Sequence, residues 1–330
     1  MRDPRFLVLA QAIISQGPDI RRHHLTRQGV SFIESPVRFA GQLESDSLHK
    51  EPTPPMAPLL EVDDLCKEFG GLLAIANLSF AVGSGLIKSI IGPNGAGKTT
   101  LFKMITGILD PTRGQIRFNG RSTRGLKPYQ ISALGISSTF QTVELFSEMT
   151  VLENVMVGRH VRTRSELFAA GFRLRRMRQE EWQIRDAALE YLEFAGLVEK
   201  KDMKADNLSL GEQKLLEIAR ALATEPQLLL LDEPAGGLND RETEHLSERI
   251  CAIRNKGMTV LLVEHDMNLV MNISDEIVVI NYGQKIAEGP PHAIKDNQDV
   301  VDAYLGEAID YSDLRRPKES RSTTDPAPPQ

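Results

Sequence analysis

Gly92-Pro93-Asn94-Gly95-Ala96-Gly97-Lys98-Thr99-Thr100 has the spacing G-x-x-x-x-G-K-[ST], which suits a polyphosphate. A polyphosphate needs many donors and no bulky side chains in the way. Glycines let the backbone curl until successive N–H groups face the phosphate oxygens. A helix expected to start near Lys98 adds the positive end of its dipole, roughly half a charge. In such a loop Lys98 reaches the β- and γ-phosphates, Thr99 supplies an oxygen ligand for Mg2+, and Thr100 supports the α-phosphate side. An ordinary glycine-rich turn has no use for Lys-Thr after its last glycine. The motif fits ATP or GTP and leaves open what the nucleotide is for.

Two further stretches carry chemistry. Leu228-Leu229-Leu230-Leu231-Asp232-Glu233 is an apolar strand ending in two acids. Beside a phosphate loop, Asp232 fits a Mg2+ ligand, and Glu233, one residue on, fits a general base that polarises the attacking water. Taken alone, the pair also reads as two acids capping a strand. Leu208-Ser209-Leu210-Gly211-Glu212-Gln213 reads as a helix start, with Ser209 as the cap and Glu212 completing a capping box. Such a start is also an anion site.

The elements that must position these residues alternate between strand and helix. Lys88-Ser89-Ile90-Ile91 reads as a buried strand feeding the phosphate loop. Leu78, Phe80 and Val82 alternate with Asn77, Ser79 and Ala81 as in a half-buried strand. Ile116 and Phe118, before Asn119-Gly120, read as another strand running into a turn. Gln227 to Leu231 and Thr259 to Val263 are apolar runs suited to a parallel sheet buried on both faces. Glu276 to Ile280 is a further strand before Tyr282-Gly283. Glu212 to Thr224 and Arg241 to Asn255 carry helical periodicity. The expected fold is α/β, with an N-terminal antiparallel β layer and a helical block over about 150–205, within a subdomain of about 142–207.

Residues 1–57 show no sustained apolar period, and Glu51-Pro52-Thr53-Pro54-Pro55 breaks any element. They are expected to be a disordered or non-native extension, with Met56 as the expected translation start. Phe6 to Ile14, behind Arg2 and Arg5, faintly resembles a signal peptide but lacks a small-x-small cleavage site. The folded domain is expected over 58–310, and Pro, Ser and charge over 311–330 predict a disordered tail.

A net charge of −6 and a pI near 5.7 argue against a general nucleic-acid binder. Cys66 and Cys251 form no metal spacing or disulfide framework and read as small core residues, as suits a reducing cytoplasm. No stretch has the ~18 continuous apolar residues of a membrane span. A role at a membrane would need spans from another subunit.

The Leu208–Gln213 segment is similar to the LSGGQ signature of ABC ATPases, and the phosphate loop, signature, Asp232-Glu233 and His265 stand in that family's order. Leu210 replaces a glycine of the usual pattern and Glu212 a glutamine, while Ser209 and Gly211, the positions that meet phosphate, are kept. The resemblance implies a P-loop NTPase of the ABC ATPase type with a RecA-like core. It implies that Gln141, after Phe140, contacts Mg2+ or water and relays the γ-phosphate state to the helical block; otherwise it is a surface glutamine. It implies that His265 touches the γ-phosphate and orients the water; the plain alternative is a satisfied loop histidine. Phe69 lies where the family stacks an aromatic on adenine, or it is a core aromatic. Asn239 stands where the family's D-loop has Asp.

In that family the signature of one subunit closes the ATP site of another, so the resemblance implies a dimer with two ATP sandwiched. Thr142 to Asn154, Leu216 to Arg220, Asp232 to Asn239, Val263 to Met267 and Ala303 to Ala308 resemble the branched-chain amino acid importers. This implies two permease subunits, a periplasmic binding protein, and a second ATPase as a copy or a paralogue, at the cytoplasmic face of a bacterial inner membrane. An ATPase for another cargo, such as urea or an exported lipid, is the runner-up. A soluble ABC protein acting on DNA or ribosomes usually carries a coiled-coil insert or two linked ATPase units, and this chain shows neither. Arg159, Arg162, Arg164, Arg173, Arg175, Arg176 and Arg178 face either headgroups and an acidic partner or simply solvent.

Overall fold

A hairpin opens the fold: β1 (Leu60–Phe69) pairs antiparallel with β2 (Leu72–Val82). The computed structural model describes residues 57–139, 143–160 and 174–304, with the backbone alone at 160 and 174–180. The expectations for residues 1–56 and 311–330, Met56 included, lie outside the described residues, as do Gln141, Arg162, Arg164 and Arg173. In β2, Leu78, Phe80 and Val82 are buried and Asn77 and Ala81 exposed, the alternation of a sheet with one covered face. The strand starts well before Leu78. Leu72 and Leu73 at its beginning are exposed and leave no alternation to read.

β3 (Ile87–Ile91) leads through the phosphate loop into α1 (Lys98–Ile105). β4 (Arg113–Phe118) and β5 (Arg121–Ser122) flank Asn119-Gly120, whose positive φ values of 49° and 70° match a type I′ hairpin turn. Then follow α2 (Pro128–Leu134), β6 (Ile136–Ser138), α3 (Val151–His160), α4 (Leu174–Ala195) and α5 (Leu210–Leu222). The last third alternates regularly: β7 (Leu228–Asp232), α6 (Asp240–Asn255), β8 (Thr259–Val263), α7 (Met267–Ile273), β9 (Glu276–Asn281), β10 (Gln284–Gly289) and α8 (Pro291–Lys295).

Two sheets result. The antiparallel layer has the order β2-β1-β4-β5, and the larger sheet the order β10-β9-β3-β8-β7-β6. In the larger sheet β9, β3, β8, β7 and β6 run parallel, and β10 pairs antiparallel on β9. The apolar run of β7 divides its side chains between two cores. Leu228 and Leu230 join the core shared with the antiparallel layer and α1, while Leu229 and Leu231 join the core under α5 and α6. That division is why the strand has no polar face.

The helical block is continuous with the second core: Val151 and Val155 of α3, Ala188 and Leu192 of α4, and Leu216 and Ala219 of α5 belong to it. Gly158 shows how tightly α3 lies on α5, since a Cβ there would sit 2.2 Å from the Arg220 carbonyl oxygen.

Three expectations change. Phe69 is 45% exposed with the Lys67 ammonium 5.1 Å from its ring centre, so it is not a core aromatic. Cys66 is buried, but Cys251 only partly so, at the edge of the core. Arg159 is half-buried and ion-paired with Glu225, so it is neither a solvated charge nor free for a headgroup.

Candidate active site

The carboxyl ends of β3, β8, β7 and β6 lie side by side in that order, on one edge of the parallel sheet. Ligands of open α/β sheets bind at such an edge. β3 delivers the phosphate loop, β8 delivers Glu264 and His265, and β7 delivers Asp232 and Glu233. β6 runs toward Gln141, which lies outside the described residues.

The loop is built for close backbone approach. Gly92 has φ 153°, and a Cβ there would meet the Ile280 carbonyl oxygen of β9 at 2.0 Å, so no other residue fits. Pro93 and Ala96 are buried, and Asn94 and Gly95 are exposed at the crest. The Lys98 ammonium turns back on the loop, donating to the Gly92 carbonyl at 2.6 Å and the Pro93 carbonyl at 3.0 Å. Gly97 precedes α1 without any side-chain cap, so the first N–H groups of that helix keep their capacity for an anion. Thr99 and Thr100 follow on the first turn, half-buried.

Asp232 is 7% exposed, and its Oδ1 makes no hydrogen bond to the described residues. Burial, then the charges of Glu233 and Glu264, push its carboxyl up to about 6 against the pull of Lys103 and Lys98. A buried, unpartnered carboxylate oxygen beside a phosphate loop fits a hard divalent cation, which would remove both penalties.

Glu233 sits in a left-handed backbone conformation, φ 47°, rare outside glycine. Its N–H donates to the Val263 carbonyl at 2.9 Å, and its carbonyl accepts from Gly236 N–H at 3.1 Å. His265 is exposed, with Nδ1 3.9 Å from Glu233 Oε2 and 3.7 Å from Glu264 Oε2. Glu264 itself is fully buried and acts as a clasp. One oxygen accepts the Ala235 N–H at 2.7 Å, the other the His265 N–H at 2.9 Å. It therefore ties the turn after Asp232-Glu233 to the loop that carries His265. Sequence reasoning passed over Glu264, although an acid directly after the apolar run Val260 to Val263 is the same signal as Asp232 after its leucines.

Ser209 and Gly211 lie at the start of α5. Ser209 caps α5 as expected: its Oγ accepts the Glu212 N–H at 3.3 Å, and Glu212 Oε2 accepts the Ser209 N–H at 3.1 Å. Asn239 forms a second capping box with Glu242 at the start of α6, a use that the Asn-x-x-Glu spacing signals.

The family described as ABC transporter matches residues 75–236, and one described as branched-chain amino acid ATP-binding cassette transporter matches residues 284–310. The chain is 48% identical to the high-affinity branched-chain amino acid transport ATP-binding protein LivG of Salmonella typhimurium, over 76% of this chain and 99% of that protein. A crystal structure of a nucleotide-free ATP-binding cassette from an ABC transporter superposes with a TM-score of 0.66 at 34% identity, covering 75% of this chain and 98% of the other. A dimeric cassette in a post-hydrolysis state, bound to ADP and phosphate, superposes with a TM-score of 0.60 at 26% identity, covering 70% of this chain and 98% of the other.

Proposed function

The chain belongs to the ABC transporter ATP-binding family, and on that footing we propose that it powers a membrane importer for branched-chain or related amino acids. It is an ATPase that binds nucleotide. The likeness to transport ATP-binding proteins over nearly their whole length is the observation that carries the cargo reading.

Each site residue has a role that its surroundings support. The backbone of Gly92, Pro93, Asn94, Gly95, Ala96 and Gly97 cradles the phosphates, with the α1 N-terminus behind it. Lys98 exchanges loop carbonyls for phosphate oxygens, and Thr100 serves the α-phosphate side. Exposed Phe69 is free to stack on the base. Thr99 and Asp232, with Gln141, would hold Mg2+; the ion would neutralise charge on the β- and γ-phosphate oxygens. Glu233 takes the proton of the attacking water, and His265 orients that water against the γ-phosphate. Ser209 Oγ and the Gly211 N–H, at the capped start of α5, complete the site of a second ATPase subunit. Stabilisation supplied across such an interface reaches on the order of 10³–10⁵ in rate.

The remaining partners are two permease subunits and, through them, a periplasmic binding protein. No described helix is long and apolar enough to cross a membrane. The proposed place is the cytoplasmic face of a bacterial inner membrane, with peripheral attachment through those permeases. The domain runs over 58–310, and its helical subdomain, about 142–207, carries the groove that meets them.

The test is co-purification of the full-length chain with its permeases and binding protein, followed by reconstitution in proteoliposomes. Leucine-loaded binding protein should stimulate ATP hydrolysis, and Lys98→Ala should abolish binding or turnover. Stimulation by urea alone, or by a lipid, would overturn the amino-acid reading; normal turnover by Lys98→Ala would overturn the site.

A further inference from the structure

Lys214 lies on the buried face of α5, just over one turn beyond the Ser209 cap, and is 6% exposed. Its ammonium donates to the Glu233 carbonyl oxygen at 3.1 Å. Burying an ammonium costs several kcal/mol even after relaxation, and a methionine of similar length would fill the same space without that cost. The neighbouring charge of Glu217, three residues on, offsets part of the penalty, but Glu217 is already engaged: its Oε1 accepts the Glu144 N–H at 2.8 Å. Among the described residues the Lys214 ammonium donates to one peptide group, that of Glu233.

That peptide group has reason to be held. The left-handed conformation of Glu233 costs roughly 1–3 kcal/mol and persists only where its surroundings impose it. Three hydrogen bonds impose it: Glu233 N–H to Val263, Gly236 N–H to the Glu233 carbonyl, and the Lys214 ammonium to the same oxygen. The first two come from β8 and the local turn. The third reaches across from the helix whose capped start carries Ser209.

We propose that Lys214 is a positioning residue for Glu233: by fixing its carbonyl it sets the direction in which the Glu233 carboxylate leaves the backbone. The proposal rests on the reading of Glu233 as the general base. Lys214 does not meet nucleotide, so its removal should loosen the base without loosening ATP.

The experiment measures steady-state MgATP hydrolysis and fluorescent-ATP binding by the full-length chain. It compares the native chain with Lys214→Met, Lys214→Arg, Glu233→Gln and the Lys214→Met/Glu233→Gln double variant. Lys214→Met should lower kcat by about tenfold to a hundredfold, with KM and nucleotide affinity moving by no more than about twofold. Lys214→Arg, which keeps a cationic donor, should recover most of the rate. In the Glu233→Gln background Lys214→Met should add no further loss, since it acts through that side chain. Unchanged kcat in Lys214→Met beside an inactive Glu233→Gln would overturn the proposal. So would equal losses in the Met and Arg variants with KM and melting temperature displaced, the pattern of a purely structural lysine. Full turnover by Glu233→Gln is a separate result: it would remove the base reading itself, and this proposal with it.

Discussion

Asp232 closes a strand whose four leucines are fully buried, so its carboxylate enters the site with little water around it. Burial and the nearby Glu233 and Glu264 charges raise it from the ordinary 3.8 to about 6. The sign follows from which state holds the proton more tightly. As pH rises from about 4 to about 6, the unfolded chain ionises first and the native state loses stability relative to it. Above about pH 6 the penalty is constant, at most about 3 kcal/mol. Asp232→Asn should therefore raise the melting temperature of the metal-free protein at pH 7.5, with the gain vanishing near pH 4, while hydrolysis of MgATP is lost. Equal melting of the two proteins at pH 7.5 would contradict this account. At the residue scale the loop, both acids and Ser209 were legible because each belongs to a short local spacing. Lys214 was not, because its partner Glu233 lies 19 residues away in sequence; Glu264 carried the signal of an acid after an apolar run, but its clasp on Ala235, 29 residues away, did not show. Phe69 was ambiguous because an aromatic at a strand end carries no label for which side of the sheet it takes.

Among elements, α5 carries the most argument. Its N-terminus is capped by a box readable from Ser-x-x-Glu alone, and its buried face carries Lys214 and Glu217 among the leucines. The cap and the proposed phosphate contact use the same hydroxyl, and they can be separated. Ser209→Ala removes the cap acceptor and should cost about 1 kcal/mol of stability. Ser209→Asp keeps an acceptor that caps as well as serine does but places a negative charge where a γ-phosphate would arrive. The Asp variant should melt like the native chain yet fail to associate on ATP, as read by sizing chromatography. If it associates normally, Ser209 does not meet phosphate. The long apolar strands and periodic helices were legible because burial imposes their pattern. α2, α7, α8, β5 and β10 were not; each is at most seven residues, too short for a period to repeat. β10 also lies at the sheet edge, where exposed Gln284, Lys285 and Glu288 hide its pairing with β9.

For the molecule as a whole, the phosphate loop and the signature cannot both serve one nucleotide in the proposed arrangement; each is half of a site. In that arrangement one chain supplies Lys98, Asp232, Glu233 and His265 from one sheet edge, a second supplies Ser209 with Gly211 from the start of α5, and two subunits would be needed to make either site whole. Binding then depends on association, and hydrolysis weakens association by splitting the ligand that joins the two halves. A variant that binds ATP but cannot split it should stay closed. Glu233→Gln keeps the size and the backbone of the residue, including the carbonyl that Lys214 holds, and removes only the proton acceptor. With ATP the full-length variant should elute at twice its monomer mass, or as a stable pair with its paralogue, and fall apart when ATP is replaced by ADP. The native chain under the same conditions should associate only transiently. A Glu233→Gln protein that remains monomeric with ATP and its permease partners present would break the two-subunit site, and with it the roles given to Ser209 and Gly211.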